Sequence, residues 1–109
     1  MDPNTEQAIR IFLDRITVRY PVSGAFLFGS RARGDFRPDS DLEIAVLLQG
    51  ARTSRVDAAL EMADIAFDVL MDTGFLIEAV PLWEEEWEHP ERFNNLALIE
   101  NIRLEGLRL

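Results

Sequence analysis

The sequence predicts an α+β fold in which a small mixed β-sheet carries helices packed mainly on one face. Two observations support this prediction. Apolar runs bounded by Gly, Pro or polar turns alternate with segments of helical periodicity, in the order helix, strand, strand, helix, strand, helix. The 109 residues, of which 48% are hydrophobic, suffice for one core, so we expect a single domain over residues 1–109.

The first helix and the first two strands are each marked by an apolar pattern and by the residues that bound it. The helix is predicted by apolar residues at the spacing i, i+3, i+4, i+7, which are Ile9, Phe12, Leu13 and Ile16. Asn4 or Thr5 is expected to cap this helix, and Pro21 is expected to end it. The apolar run Ala25–Phe28 and the segment Asp41–Leu48, whose second half is apolar throughout, predict two strands buried on both faces.

A long helix, a third strand and a closing helix are expected in the rest of the chain. Ser54 is expected to cap the long helix, and Gly74 is expected to follow its end. Its core-facing stripe is predicted to consist of Val56, Leu60, Ala63, Phe67 and Leu70. The run Phe75–Val80 predicts a strand that Pro81 terminates. The closing helix is predicted by the helical spacing of Leu96, Ile99 and Ile102.

Two tryptophans, three glutamates and several leucines in the C-terminal third have expected structural roles. Trp83 and Trp87 lie four residues apart and are expected to complete a core or to cover a sheet edge. The run Glu84–Glu86 is expected to be a solvated helix face. The closing segment Arg103–Leu109 holds more leucines than one apolar stripe uses, which predicts an interface with another protein or with a second copy.

The composition excludes several classes of function. Twenty acidic and eleven basic residues give a formal charge of -9, so nucleic acid and anionic membranes are not the expected partners. The chain contains arginine but no lysine and no cysteine, which excludes the Walker phosphate loop, Schiff-base chemistry, a thiol nucleophile and cysteine-ligated zinc. The N-terminus lacks signal-peptide features and no apolar run approaches the roughly 18 residues of a membrane span. We therefore expect a cytoplasmic protein.

The connection between the two apolar strands holds the residues with chemical potential. Gly29 allows close approach of the backbone to a ligand, and Ser30 adds a hydroxyl beside the exposed N–H groups of the turn. Asp41 and Glu43 are two residues apart on a predicted strand, so their side chains are expected to point to the same face. Their Cα atoms are expected roughly 6 to 7 Å apart, close enough for the two carboxylates to share a hard cation. In the alternative interpretation, Asp41 is solvated and Glu43 pairs with one of the three nearby arginines, which are Arg31, Arg33 and Arg37.

Together these residues form the pattern Gly-Ser-x-Ala-x-Gly-x(5)-Ser-Asp-x-Glu, which begins at Gly29 and ends at Glu43. The pattern resembles the signature of the polymerase beta nucleotidyltransferase superfamily, and specifically of its shortest members, the minimal nucleotidyltransferases. The match covers Phe26 to Val46, and the order of elements agrees to the end of the chain. The resemblance implies the palm-like fold of polymerase beta and a single nucleotidyltransferase domain.

The resemblance also implies roles for individual residues. Gly29 and Ser30 correspond to the turn that holds the terminal phosphates of a nucleoside triphosphate, and Asp41 and Glu43 correspond to the paired ligands of two Mg²⁺ ions. Further nucleotide contacts are expected from Arg31, Arg33 and Ser40. The second ligand is Glu43, where the family commonly has aspartate.

A third carboxylate, on the next strand, commonly completes the metal site in this superfamily and can accept the proton of the acceptor. Glu78 is the candidate because it interrupts the apolar run of the third strand, where a buried carboxylate needs a partner. Asp68, within the long helix, is the second candidate. In the alternative interpretation Glu78 faces solvent or pairs with an arginine.

The resemblance implies an Mg²⁺-dependent nucleotidyltransferase that transfers a nucleoside monophosphate, AMP from ATP, to a hydroxyl of a protein or another acceptor. Minimal members commonly act beside a helical HEPN-type protein as the antitoxin of a toxin–antitoxin pair, so we expect such a partner, a homo-oligomer, or both. The alternative function is a catalytically weak nucleotide-binding or partner-binding module that neutralises a partner by occlusion. A small Mg²⁺-dependent phosphohydrolase is a third possibility, although it has no need of the Gly-Ser turn.

Overall fold

The computed structural model describes residues 1–94 and 96–109. The described residues form helices α1 (Pro3–Arg19), α2 (Ser30–Arg33), α3 (Arg55–Thr73), α4 (Glu84–Glu88) and α5 (Leu96–Glu105), with a 3-10 turn at Pro90–Arg92. Their strands are β1 (Val22–Phe28), β2 (Leu42–Leu48), β3 (Ile77–Trp83) and β4 (Leu107–Arg108). The α+β class and the mixed sheet predicted from the sequence are confirmed.

The sheet has the strand order β3-β2-β1-β4. Strands β1 and β2 pair antiparallel, whereas β2 and β3 pair parallel through the crossover helix α3. Because β2 is central, Glu43 lies between two neighbours, opposite Phe28 of β1 and Glu78 of β3. The start of β2, the start of β3 and the end of β1 therefore meet at one end of the sheet.

The two long helices pack on one face of the sheet and enclose the larger core. The predicted stripe of α1 is largely confirmed, because Ile9, Phe12 and Ile16 are buried and Leu13 packs against the same core. The sheet contributes alternate residues to this core, including Leu42, Ile44 and Val46 of β2. The residues between them, such as Glu43, Ala45 and Leu47, must therefore project to the opposite face.

Helix α3 faces the core with a different stripe from the one predicted. Its buried residues are Ala58, Met62, Ile65, Ala66 and Val69, whereas Val56, Leu60, Ala63 and Phe67 are exposed. The helix carries two apolar stripes at helical spacing, so periodicity alone could not select the inner one. The buried stripe combines the small Ala58 and Ala66 with the larger Met62, Ile65 and Val69, and these residues belong to the larger core.

The C-terminal helices cover part of the other face of the sheet with a smaller core. Its buried members are Phe28, Ala45, Leu82 and Ile102. Trp87 stacks on Phe26 with ring centroids 5.0 Å apart and packs on this cluster, whereas Trp83 is buried in the larger core. Both tryptophans thus complete a core, which was the first of the two roles expected for them; the other was to cover a sheet edge.

Strand β3 begins later than expected and continues through Pro81 to Trp83, so the prediction that Pro81 ends it was wrong. As an edge strand, β3 needs N–H groups on one side only, and proline is tolerated at such a position. The sequence analysis did not predict two short elements, α2 and β4. Strand β4 exists through pairing of Leu107 and Arg108 with β1, so the closing leucines belong partly to the sheet.

The expectation that Glu84–Glu86 forms a solvated face was wrong for Glu86, which is 3% exposed. Its carboxylate accepts hydrogen bonds from the backbone N–H of Trp83 and from the guanidinium of Arg55. Arg55 also donates to the carbonyl of Pro81 at 2.7 Å. This ion pair, in which Glu86 is buried and Arg55 is partly exposed, joins the start of α3 to the end of β3 and the start of α4.

Asp2, rather than Asn4 or Thr5, caps helix α1. Its carboxylate accepts from the backbone N–H of Asn4 at 3.5 Å and of Thr5 at 3.3 Å, and from the Thr5 hydroxyl at 3.0 Å. The earlier start follows from Pro3, because proline is favoured at the first helical position. Hydrogen bonds from Thr5 hold the pKa of Asp2 below its ordinary value, against a smaller opposing effect of desolvation.

We expect Asp2→Ala to lower thermal stability near neutral pH, because it removes the cap. A lowered folded-state pKa means that the charged cap stabilises the fold above the unfolded-state pKa, and that this contribution is lost as pH falls through the folded-state pKa. The stability difference between wild type and Asp2→Ala should therefore shrink in acid. Melting curves from neutral pH downwards test this. Asp2→Asn, which caps without titrating, is the control and should keep a constant difference from Asp2→Ala.

Among the described residues, no helix combines the length and the apolar character that a membrane crossing requires.

Candidate functional site

The predicted carboxylates lie at the end of the sheet where β1 ends and where β2 and β3 begin. Asp41 immediately precedes β2, and Glu43 is its second residue. Glu43 and Glu78 are register partners in the parallel ladder between β2 and β3. Register partners project to the same face, and neighbouring strands are about 4.8 Å apart. The structure therefore brings Glu78 beside Glu43 on the sheet face that the C-terminal helices cover only in part. Glu78 is exposed there, so it is not the buried carboxylate that its position in an apolar run suggested.

Gly29 joins β1 to α2 and lies directly against Glu43. Its backbone has φ 75° and ψ -157°, a region that essentially only glycine occupies. A Cβ atom at this position would lie 1.7 Å from the Oε2 atom of Glu43. The absence of a side chain at Gly29 is therefore what lets the Glu43 carboxylate rest against the turn, so the two parts of the sequence pattern meet in space.

Ser30 opens the short helix α2 and is half-buried beside this turn. The carbonyl of Gly29 accepts from the N–H groups of Ala32 and Arg33, which closes the turn of the helix. The first N–H groups of a helix have no intrahelical partner and point outward. The Ser30 hydroxyl makes no hydrogen bond to any described residue, so it remains available to a ligand.

Arg31 and Ser40 hold the connection between α2 and β2 in place. The guanidinium of Arg31 donates to the carbonyls of Ser40 at 3.0 Å and Pro38 at 3.1 Å, and it stacks on the Phe36 ring at 4.4 Å. The hydroxyl of Ser40 accepts from the backbone N–H of Arg37 at 2.8 Å. These contacts fix the approach to Asp41, a positioning role that the sequence pattern did not reveal. The contacts of Arg31 and Ser40 with a nucleotide remain predictions.

Arg33 is half-exposed and forms ion pairs with Asp35 at 3.3 Å and with Glu105 at 3.2 Å. It thus ties α2 to the end of α5. Within residues 1–94 and 96–109, no ion pair includes Asp41, Glu43 or Glu78. The alternative in which an arginine neutralises Glu43 by direct contact therefore finds no support among these residues.

The negative charges of Asp41, Glu43 and Glu78 are close enough to repel one another. Partial burial raises the pKa of Glu43 above its usual value, and the negative charges of Glu78 and Asp41 raise it further, while Arg33 opposes the shift. Within the described part of the chain, no three acidic, histidine or cysteine side chains are close enough together to form a metal cluster. The arrangement is thus a pair of adjacent glutamates with Asp41 nearby, rather than a closed cage.

A groove of about 240 Å³ opens beside these carboxylates, between α3 and the free edge of β3. Asp41 and Glu78 line it together with Ala59 and Ala63 of α3. Ligand access to Asp41 and Glu78 is therefore possible from the side of α3. Asp68, the second candidate for the third carboxylate, is exposed on α3 and does not line this groove.

Comparisons with known proteins identify the family of the chain. The family described as polymerase beta nucleotidyltransferase matches residues 13–102. The chain therefore belongs to the polymerase beta nucleotidyltransferase family, as the Gly29 to Glu43 pattern indicated. A comparison with curated proteins gave no match.

Several solved structures share the fold. A toxin–antitoxin complex with AMP-PNP is 23% identical, with a TM-score of 0.65 over 94% of this chain and 70% of that one. A toxin–antitoxin MntA–HpeT mutant with two Asp-to-Glu substitutions is 23% identical, with a TM-score of 0.61 over 94% and 69% of the two chains. A proposed nucleotidyltransferase from Sulfolobus solfataricus is 23% identical, with a TM-score of 0.52 over 82% and 81%. These likenesses show that the chain shares the fold of these proteins.

Proposed function

We propose that the chain transfers a nucleoside monophosphate, AMP from ATP, to a hydroxyl group of a protein acceptor. The observation that carries this proposal is the contact between the Gly29 turn and the Glu43 carboxylate, with Glu78 as the register partner of Glu43. A phosphate-binding turn and a carboxylate pair are the two parts that phosphoryl-type transfer requires at one place. Family membership and the fold shared with a complex containing AMP-PNP support the same conclusion.

In this reaction the acceptor oxygen forms a bond to the α-phosphorus, and the bond between the α-phosphorus and the α,β-bridging oxygen breaks to release pyrophosphate. The turn at Gly29 and Ser30 would hold the terminal phosphates through backbone N–H groups and a hydroxyl. Glu78, which lies on the edge strand β3 and lines the groove, would receive the proton of the acceptor. Arg31 would keep the preceding loop, and with it Asp41, in position.

The residues present fit Mg²⁺, although they form no closed cage. Mg²⁺ in nucleotide sites is held by one or two carboxylates together with substrate phosphates and water. Asp41, Glu43 and Glu78 supply such oxygen ligands, and their mutual repulsion would be relieved by a cation. Two Mg²⁺ ions bound with the triphosphate would supply neutralisation of the charge on its phosphate oxygens.

We expect Asp41→Asn to lower nucleotidyl transfer about 100-fold, because a metal ligand of this kind supplies several kcal/mol of charge stabilisation. Titration calorimetry with ATP should also show a loss of the Mg²⁺-dependent part of its affinity. Asp39→Asn is the matched control, since Asp39 is exposed on the same loop. Equal ATP affinity with and without Mg²⁺ in the wild-type protein would contradict the metal assignment.

The acceptor and partner that we propose is a helical HEPN-type protein, with this chain as the antitoxin of the pair; self-association is a further expectation. The shared fold with toxin–antitoxin complexes supports this assignment. Incubation of both proteins with Mg²⁺ and ATP labelled at the α-phosphorus should transfer label to the partner. Label at the γ-phosphorus should leave as pyrophosphate, and its appearance on the partner would indicate phosphoryl transfer instead.

One observation favours a second candidate, a module that neutralises its partner by occlusion without turnover. The second ligand position holds Glu43, where the family commonly has aspartate. The two functions differ in one measurement. If Asp41→Asn still suppresses the partner's toxicity as well as the wild-type protein does, occlusion suffices; if suppression is lost with transfer, catalysis is required.

A further inference from the structure

The outer face of α3 carries an exposed apolar stripe that the fold does not use. Val56 is 68% exposed, Leu60 62%, Phe67 57% and Met71 63%, and the exposed Ala63 lies between them. Their spacing of four, three, four and four residues aligns them along one side of the helix, opposite the buried face. We call these five residues the α3 stripe. Its length from the first to the last is roughly 22 Å, enough to accept a partner helix of four turns.

Acidic residues border the α3 stripe on both sides. On the side toward α1, the border is formed by Asp57, Glu61, Asp64 and Asp68, all exposed. Glu61 is paired with Arg19 at 3.7 Å, whereas Asp64 and Asp68 form no ion pair with any described residue. On the other side Ala63 also lines the groove that contains Asp41 and Glu78. The stripe therefore runs between two sets of carboxylates.

The negative charge on both sides of the α3 stripe favours a basic binding partner over a second copy of the chain. A second copy of the chain would bring Asp64 and Asp68 against the same residues of its partner, and each copy carries a net charge of -9. Like charges facing each other across an interface disfavour association. An amphipathic helix with an apolar stripe bordered by arginine or lysine would instead satisfy both the apolar residues and the carboxylates.

We propose that the α3 stripe is the docking surface for a basic, amphipathic helix of the protein acceptor. The inference rests on the proposed transfer to a protein and adds where that protein binds. Because the stripe and the groove share Ala63, a helix docked on the stripe lies alongside the groove that leads to Asp41 and Glu78. A hydroxyl carried next to the docked helix then needs only a short connection to reach the carboxylates.

Two synthetic helical peptides of about 18 residues, with the same leucine stripe, serve as probes. One has arginine on both borders and the other has glutamate. Wild-type protein should bind the arginine peptide in titration calorimetry, with affinity that falls as salt is raised, and should not bind the glutamate peptide. Phe67→Ser should weaken arginine-peptide binding at least tenfold. Leu104→Ser is the matched control, because Leu104 is 83% exposed on α5, and it should bind as wild type does.

Charge reversal tests the borders independently of the apolar residues. Asp64→Arg combined with Asp68→Arg should reduce binding of the arginine peptide and create binding of the glutamate peptide. Equal weakening by Phe67→Ser and Leu104→Ser, or an unchanged preference after charge reversal, would overturn the proposal. So would a dimer of the wild-type chain in sedimentation that Phe67→Ser dissociates, because the stripe would then belong to a second copy.

Measurements of ATP binding distinguish failure of the docking proposal from failure of the proposed transferase function. Phe67→Ser should retain wild-type ATP affinity, because Phe67 lines neither the turn nor the groove. If peptide binding follows the stripe but ATP does not bind even with Mg²⁺, the docking surface stands and the transferase assignment fails. If ATP binds and the peptides do not discriminate between stripe and control variants, the docking proposal fails alone.

Discussion

Gly29→Ala is expected to destabilise the fold by about 2 kcal/mol and to lower ATP affinity at least tenfold. The destabilisation arises because the backbone at φ 75° and ψ -157° is open essentially to glycine only, and forcing another residue into it costs on the order of 1–3 kcal/mol. For a domain of this size, 2 kcal/mol corresponds to roughly 8 °C in Tm. The loss of affinity arises because the new Cβ atom would lie 1.7 Å from Oε2 and 2.7 Å from Cδ of Glu43. The carboxylate must therefore leave the turn.

Gly34→Ala is the matched control for this variant. Gly34 also has positive φ, at 87°, but a Cβ atom there meets no atom of the described residues within 4 Å. It should lower stability by about 1 kcal/mol and leave ATP affinity unchanged. Thermal melts give the stability and calorimetry gives the affinity. If both variants bind ATP as wild type does, the Gly29 turn is not the phosphate site.

The sequence identified a group of residues that the structure brings together, whereas it did not identify the buried face of α3. The pattern from Gly29 to Glu43 combines fixed glycine positions with strand alternation, and both depend on local geometry that a sequence expresses directly. The contact between Gly29 and Glu43 depends on the antiparallel register of β1 and β2. Such a register is a tertiary property, so the pattern predicted roles for both residues without showing that they touch.

The orientation of α3 could not be predicted because two stripes satisfy the same helical period. The larger residues, such as Phe67 and Leu60, favoured the outer stripe on hydrophobicity alone. The structure instead buries the stripe that contains Ala58, Met62 and Val69, which packs into the larger core. An apolar stripe rejected by the core is the kind of feature that indicates a binding surface.

The burial of Glu86 had a local signal that was available in the sequence. Glu86 is the third residue of α4, where a glutamate side chain commonly reaches back to the N–H of the capping position. The structure shows this hydrogen bond to the N–H of Trp83 at 3.2 Å. The pairing with Arg55 depends on the crossover between β2 and β3, which brings residues thirty-one apart in the chain together, and no local pattern encodes it.

Arg55→Met is expected to destabilise the fold by about 4 kcal/mol, which is more than we expect for Glu86→Gln or Arg52→Met. It removes the guanidinium from a carboxylate whose side chain is 4% exposed, and an unpaired buried charge costs about 3–5 kcal/mol. Glu86→Gln should cost less, about 1–2 kcal/mol, because the Arg55 side chain is 29% exposed and can reach water. Denaturant unfolding of each variant measures both values.

The double variant Arg55→Met with Glu86→Gln distinguishes charge burial from lost packing. If the uncompensated carboxylate causes the loss, the double variant should be more stable than Arg55→Met alone, since the second substitution removes the buried charge. Arg52→Met is the control: Arg52 lies 4.0 Å from the same carboxylate but is 53% exposed, so its removal should cost less than about 1 kcal/mol. Additive losses in the double variant would instead show that Arg55 stabilises the fold by stacking on Trp83 and Phe93 and by its bond to Pro81.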